Sequence, residues 1–515
     1  MRKLTKIIVI NLITIVFIFA LSLIITNFNM GNNDNSTTYN VDFNLNTENP
    51  KISAVSEPIY IDDTDPTKNW SITEVSNEWC NGSGLINDPY VIENVTIDAS
   101  GFSNGIFIEN SNVYFIIKNC VVYNASIRGI RLKNVDHGII YNNTCSQNPN
   151  GIYLGSCDYN NITNNYIINN FVNGIELSSF CSSNTISGNI AINNNKNGIV
   201  LRQECLFNNI TNNTVIGHTR SGILIQGESN NNNIKSNTVN DNPGNGISLY
   251  WSHQNNVSVN IISHNKRYGI LLLEESSNNV ISQNLLIGCG IGFDVGTPAT
   301  IATISSNSID ATNLVNGKPI SYYINKVSLQ PDDFINSGQV ILLNCINSLV
   351  SNLNLSYGGG ISLYFSNNNE IIGNTVDYNY HGISLKRSDT NTISGNIANN
   401  CIYGIYLRGS DHNTISENYA NNKEYGIFLS DCINNTISEN YANNNEYGIY
   451  LQFSYYNIIS GNNLIGNNVC IDEFHCEGNI FLNNKCGSET VISGYNIFFL
   501  LGTLVVALII IEKRR

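Results

Sequence analysis

Charge is scarce in this chain. Only 12% of its 515 residues are Asp, Glu, Lys or Arg, about half the share of an ordinary soluble domain. Methionine is nearly missing, with 2 residues, and tryptophan (3) and proline (9) are sparse. Lys and Arg number 25 against 39 Asp and Glu. The resulting charge of −14 has the wrong sign for a nucleic-acid binder, which needs a basic surface. Good helix formers are also displaced, because Asn, Gly, Ser, Thr and Ile dominate and all are poor ones. A disordered chain is excluded in turn by 42% hydrophobic residues. What fills the space is asparagine, with 94 residues, joined by 40 glycines.

The two ends read as membrane segments. Arg2, Lys3 and Lys6 precede an apolar stretch from Ile7 to Ile25, so residues 1–26 form a signal peptide or a retained signal-anchor. Residues 27–57 are polar and read as a flexible spacer. Residues 495–511 form a short apolar span, and the basic tail 512–515 is a stop-transfer signal that stays in the cytoplasm. The expected localisation is the cell membrane, with everything between the spans extracellular. Sequons such as Asn81, Asn124 and Asn354 could carry glycans there, whereas Asn212 falls within the repeat and should be occluded.

Between the ends the chain repeats. A Gly-Ile-x-Leu-like tetrad begins at Gly105, Gly129, Gly151, Gly174, Gly198, Gly222, Gly246 and Gly269, 22 to 24 residues apart. It resumes at Gly360, Gly382, Gly404, Gly426 and Gly448, every 22. A second phrase, Asn-Thr-Ile-Ser-Gly-Asn, keeps the same period. Each repeat holds three apolar runs of two to four residues with period-2 alternation. Three short strands in 22–24 residues make one coil of a parallel β-helix, stacked at about 4.8 Å per coil. The expected fold is all-β, a solenoid over residues 58–490 with roughly 17–19 coils, a rod of roughly 80–90 Å. The period is masked at about 292–360, where the helix should continue with a longer loop.

The period also accounts for the asparagines. One column recurs as Asn165, Asn189, Asn213, Asn237, Asn260 and Asn284, then Asn374, Asn396, Asn418, Asn440 and Asn462. Asn tolerates left-handed turns, and its amide can bond the identical amide one coil above. Charges stacked at that spacing would repel. Cys157, Cys181, Cys205 and Cys432 share a site with Ser366, Ser388, Ser410 and Ser454, which reads as a stack of small inward residues. Near the end Cys470, His475, Cys476 and Cys486 cluster, and a disulfide or capping contact suits them better than a metal.

The phrases NTISGN, GIYL and NGKPISYY, followed by SGQVILLNCINSLVSNLNLS, resemble the NosD-type β-helix family over about residues 90–480. The resemblance implies a right-handed parallel β-helix outside the cytoplasm, within the wider group of carbohydrate-binding and sugar-hydrolase β-helices. It also implies a link to copper-site maturation of nitrous oxide reductase. Copper handling calls for clustered His, Met or Cys. The seven His stand singly at 137, 218, 253, 264, 381, 412 and 475, which speaks against that role. The double anchoring and Asn-rich coils look more like archaeal cell-surface members.

Catalytic signatures are thin. Hydrolysis needs two carboxylates flanking a glycosidic bond. The stacked pairs Glu417 with Glu439 and Glu424 with Glu446 could share a calcium ion, but solvated turn residues explain them as well. No catalytic residue, metal site or cofactor is assigned. The x position of the tetrad points outward and is Tyr406, Phe428 and Tyr450 in successive coils, with Tyr403, Tyr425 and Tyr447 before each Gly. These six are the candidate ligand-binding residues, a strip on which sugar rings could stack. The expected function is a membrane-anchored structural or binding surface protein whose partner is a polysaccharide or a neighbouring surface protein. A carbohydrate-active lyase, hydrolase or epimerase is the alternative, and a copper-maturation factor the second.

Overall fold

The computed structural model describes residues 53–55, 57–294 and 300–487. Both expected membrane spans lie outside these residues. Among the described residues no helix is long and apolar enough to cross a membrane.

One coil shows how the sequence makes the fold. Strands at Asn150–Gly155, Asn161–Thr163 and Tyr166–Ile168 form its first, second and third faces, and the next coil starts at Asn173. Each strand pairs in parallel with its counterpart one coil on, Ile152 with Ile175, Ile162 with Ile186 and Ile167 with Ala191. All six of these side chains are buried, so like residues stack into continuous core columns. The tetrad glycine allows the coils to close up. A Cβ on Gly404 would lie 2.6 Å from the Gly426 carbonyl oxygen, and one on Gly426 equally close to that of Gly448.

The asparagine column is buried. Asn165 Oδ1 accepts the N–H of Asn143 at 2.9 Å, while its Nδ2 donates to the Ile140 carbonyl at 2.8 Å and to Asn189 Oδ1 at 2.9 Å. The amide thus satisfies itself and the turn backbone inside the coil, where water cannot. These asparagines do not take the left-handed conformation expected of them. The residue before each does, as at Asn164 (φ 55°), Gly188 (φ 67°) and Asn212 (φ 57°). Asn212 is accordingly exposed rather than occluded, and Asn213 is the buried partner. Two further columns went unread in the sequence. One runs through Asn160, Asn184 and Asn208, and the other through Asn148, Asn170, Asn194, His218 and Asn242.

The small-residue column is buried too. Ser388 N–H donates to Ser410 Oγ at 3.0 Å, and Cys157 N–H to Cys181 Sγ at 3.4 Å. Each hydroxyl or thiol in turn donates to a carbonyl of its own coil, as Ser388 does to Lys386 at 3.1 Å. Serine and cysteine alternate here because each is small and both donates and accepts. Near the end, Cys470 and Cys486 form a disulfide with Cα atoms 5.8 Å apart.

The masked stretch holds more than a loop. The ten-stranded first-face sheet ends at Ile291–Asp294, and the eleven-stranded second-face sheet at Ser308–Ile309. The third face continues. Its strand Leu314–Val315 turns back antiparallel into Lys318–Ile324, which pairs in parallel with Gln339–Leu343. From there Ile361–Tyr364, His381–Lys386 and the later tetrad strands follow. The Gly-Ile-x-Leu face of the second half therefore continues the third face of the first. Among the described residues this sheet alone carries strand pairing across the step. Two cores result, and strand Gln339–Leu343 divides them, with Ile341 and Leu343 in the first and Val340 and Leu342 in the second. Burial on both sides explains its unbroken apolar run.

At the other end Trp70, on a short helix Trp70–Ser76, covers the first coils. It stacks on Tyr90 at 5.0 Å and donates from Nε1 to Ser111 Oγ at 3.0 Å. A strand at Ser53–Val55 pairs with Val95–Ile97, inside the stretch whose polarity reads as spacer.

Candidate functional site

In-register pairing brings the six aromatic residues together on the outer side of the first-face strands of the second half. Tyr403, Tyr425 and Tyr447 form one column, with centroids 5.0 and 5.2 Å apart and planes within 8°. Tyr406, Phe428 and Tyr450 form the other, at 5.4 and 5.1 Å. Between columns the rings meet at steep angles, 62° for Tyr403–Tyr406 and 77° for Tyr425–Phe428. Much of each ring face is thus taken by a neighbouring ring, and the expected flat strip is a shingled one. Phe428 is buried beneath the others, while the five tyrosines are half-buried. Burial, the leading cause, raises the phenol pKa of Tyr403, Tyr406, Tyr425 and Tyr450.

The strip runs into the step. Tyr406 stacks on His381 at 4.8 Å, and His381 Nδ1 lies 2.7 Å from the hydroxyl of Tyr268 in the last coils of the first half. Burial, then the charges of Lys386 and Arg267, hold the imidazole well below its ordinary pKa, so it is neutral. Lys386 donates from Nζ to the Phe293 carbonyl at 2.7 Å, and burial pulls its ammonium down to about 8. Arg408 pairs with Asp294 at 3.0 Å, both partly exposed. The Ser384 Oγ and Tyr322 hydroxyl are buried there without a hydrogen-bond partner among the described residues. No local pattern marks this meeting of Tyr268, Asp294, His381, Lys386 and Arg408. The partners lie up to 114 residues apart and sit at different repeat positions.

Other sequence candidates stay apart. Glu417 and Glu439 occupy left-handed turns one coil apart. His137 stacks on Tyr114 at 4.8 Å in another turn column. Among the described residues no three His, Cys, Asp or Glu side chains group as a metal site would need.

Coil, ladder and strip define a right-handed parallel β-helix protein with a decorated outer face. The chain belongs to the NosD family. The family model described as periplasmic copper-binding protein (NosD) matches residues 179–318 and 300–498, and a model of the right-handed β-helix region matches residues 79–239. No curated protein matches the chain in sequence. Solved structures similar to it include a double mutant of the periplasmic alginate epimerase AlgG, at 16% identity over 60% of this chain and 81% of that one, with a TM-score of 0.35. The Dettilon tailspike protein is 13% identical over 69% of this chain and 61% of its own, with a TM-score of 0.37. The A-module of the Azotobacter vinelandii mannuronan C-5 epimerase AlgE6 is 11% identical over 76% and 92%, with a TM-score of 0.25.

The donors present do not fit the copper in the family's name. Copper sites want convergent imidazoles, thiolates or thioethers. Ten of the thirteen cysteines are buried free thiols, and two more form the disulfide. Burial pushes the thiols of Cys120 and Cys432 up to about 12, far from the thiolate a metal takes.

Proposed function

We propose that this is a membrane-anchored β-helix surface protein, held by residues 7–25 and 495–511, whose extracellular strip Tyr403 to Tyr450 binds a polysaccharide chain without cleaving it. The observation that carries the reading is the registered double column of rings. It repeats at the coil spacing, about 4.8 Å, a step close to that of a pyranose chain. Shingled rings offer edges, hydroxyls and partial faces, which suits hydrogen bonding to sugar hydroxyls as well as stacking. The test is retention of the full-length detergent-solubilised protein on immobilised neutral polysaccharides. Tyr425→Ala with Tyr447→Ala should abolish retention, and unchanged retention would overturn the reading.

A carbohydrate-active enzyme is the second reading, favoured by the step. There Tyr268, His381 and Lys386 are buried near the partly exposed Asp294–Arg408 pair, and Lys386 with a pKa of about 8 could act as an acid or base. Release of reducing or unsaturated ends from any polymer, lost in Lys386→Met, would establish it. The family match favours a third reading, copper handling. With the donor set described, the chain would then act through a partner protein rather than by carrying the ion. Metal analysis of the purified protein separates the two modes.

A further inference from the structure

The tetrad strands of the two halves lie in different sheets and carry different outer side chains. In the second half they carry rings, and in the first they carry cations. A groove of about 310 Å³ there is lined by Arg128, Lys196, Arg202 and Arg220 with a single carboxylate, Glu176. Four cations meeting in a chain that has 25 Lys and Arg and a charge of −14 is a strong local excess. Glu176 is already engaged. It is buried, pairs with Arg202, and accepts from Asn150 Nδ2 at 2.6 Å and Asn173 Nδ2 at 2.7 Å. Among the described residues Arg128, Lys196 and Arg220 form no ion pair.

The cations are placed by the repeat. Arg128 precedes its tetrad glycine, stands in register with Asn150, Asn173 and Asn197, and lies over the Tyr153 ring at 3.7 Å. Lys196 and Arg220 stand two residues before glycines one coil apart, where the Arg220 N–H donates to the Lys196 carbonyl. The Nε atoms of Arg128 and Arg202 are buried without a hydrogen-bond partner among the described residues. Burial costs a guanidinium its hydration, and Arg131 and Arg202 add repulsion, both of which lower the Arg128 pKa. Such a cluster is stabilised by an incoming anion. Val200 and Leu224 supply an apolar floor between the charges, and Gln226 an amide at one side.

We propose that this groove binds an acidic glycan, a sugar chain bearing carboxylate or sulfate groups. An apolar floor under sugar rings and cations spaced over several coils fit that chemistry. Single-stranded nucleic acid would ask for rings to stack its bases, and no aromatic side chain lines the groove. The site lies on a different sheet from the tyrosine strip and does not need the strip to bind anything.

The test measures binding of the full-length solubilised protein to polygalacturonate, dextran sulfate, uncharged dextran and a single-stranded oligonucleotide at two salt concentrations. One or both acidic polysaccharides should bind more tightly than dextran and weaken with salt. Lys196→Gln with Arg220→Gln, both exposed positions, should weaken that binding about tenfold. Glu176→Gln, which keeps the shape and removes the negative charge, should strengthen it. The preference for acidic polymers over dextran, and its salt dependence, should persist in Tyr425→Ala with Tyr447→Ala, which removes any contribution of the strip. Acidic polymers binding no better than dextran would overturn the proposal. So would tighter binding of the oligonucleotide than of either acidic polysaccharide, or wild-type affinity in the Lys196/Arg220 variant.

Discussion

The side-chain amide of Gln339 stands in for a strand beside Ile291. Its Oε1 accepts the Ile291 N–H at 2.9 Å, and its Nε2 donates to the Ile291 carbonyl at 2.7 Å. Two residues on, Phe293 is treated alike, its N–H bonding to the Tyr364 hydroxyl at 3.0 Å and its carbonyl to Lys386 Nζ. The edge where the first-face sheet ends is closed by side chains from successive coils of the other half.

Gln339→Leu should therefore expose two backbone groups to burial without partners, at about 1–3 kcal/mol each. Hydrogen exchange at the amides of Ile291 and Phe293 should rise well before exchange elsewhere in the first half. Protection as in wild type would show that the amide is dispensable.

His218 takes the place of an asparagine in its column. Asn194 N–H donates to Nδ1 at 3.1 Å, and Nε2 lies 3.1 Å from the Ala191 carbonyl, so Nε2 carries the proton. Burial lowers its pKa from 6.5 to about 4. At pH 7 the ring is neutral whether folded or not, and stability is intact. As pH falls below 6.5 the unfolded chain takes up a proton that the folded one refuses. Stability then drops by about 1.4 kcal/mol per pH unit until about pH 4. His218→Asn should flatten this slope in denaturant titrations between those limits.

Asn213 makes four bonds inside the coil, accepting from Asn189 N–H and donating to the Ile186 carbonyl and Asn237 Oδ1, each at 2.9 Å, with Asn189 Nδ2 at 3.0 Å. Asn213→Ala should cost at least about 2 kcal/mol. Asn213→Asp should cost more at pH 7 than at pH 4, because a buried carboxylate loses the donor that faced Asn237 Oδ1. The exposed neighbour change Asn212→Gly should be almost silent. Thermal or chemical unfolding of the three variants checks the ranking.

Of the free thiols only Cys476 is partly exposed. In the folded protein at pH 8, iodoacetamide should label Cys476 and spare the others, and all eleven should react in denaturant. Peptide mass mapping reads both states. Early labelling of Cys157, Cys181 or Cys205 would contradict the packed column.

The repeat made the coils readable because Ile, Gly and Asn recur at one spacing, and the core columns lie where that spacing puts them. It hid the Asn148 column, since His218 interrupts its letters while keeping its bonds. It hid the step for a different reason. Gln339, Tyr364, Lys386 and Arg408 act on residues 48 to 114 positions away, and no local period records such distances. The cationic groove escaped because Arg128, Arg202 and Arg220 sit at three different positions of the repeat. The aromatic residues were found where the tetrad placed them, but mutual stacking decides which ring surfaces they present, and no alternation pattern reports that.

The step also has a mechanical meaning. Within the first half, tension along the axis is shared by three sheets, and within the second by two sheets and a column of single bridges, all with bonds that run between coils. At the step a single sheet among the described residues spans the gap, through an antiparallel hairpin, and the first-face edge is held by four side chains. A molecule tethered at one end and pulled at the other would give first at residues 291–294. Each half would keep its coils wound, ready to re-engage when the load is released.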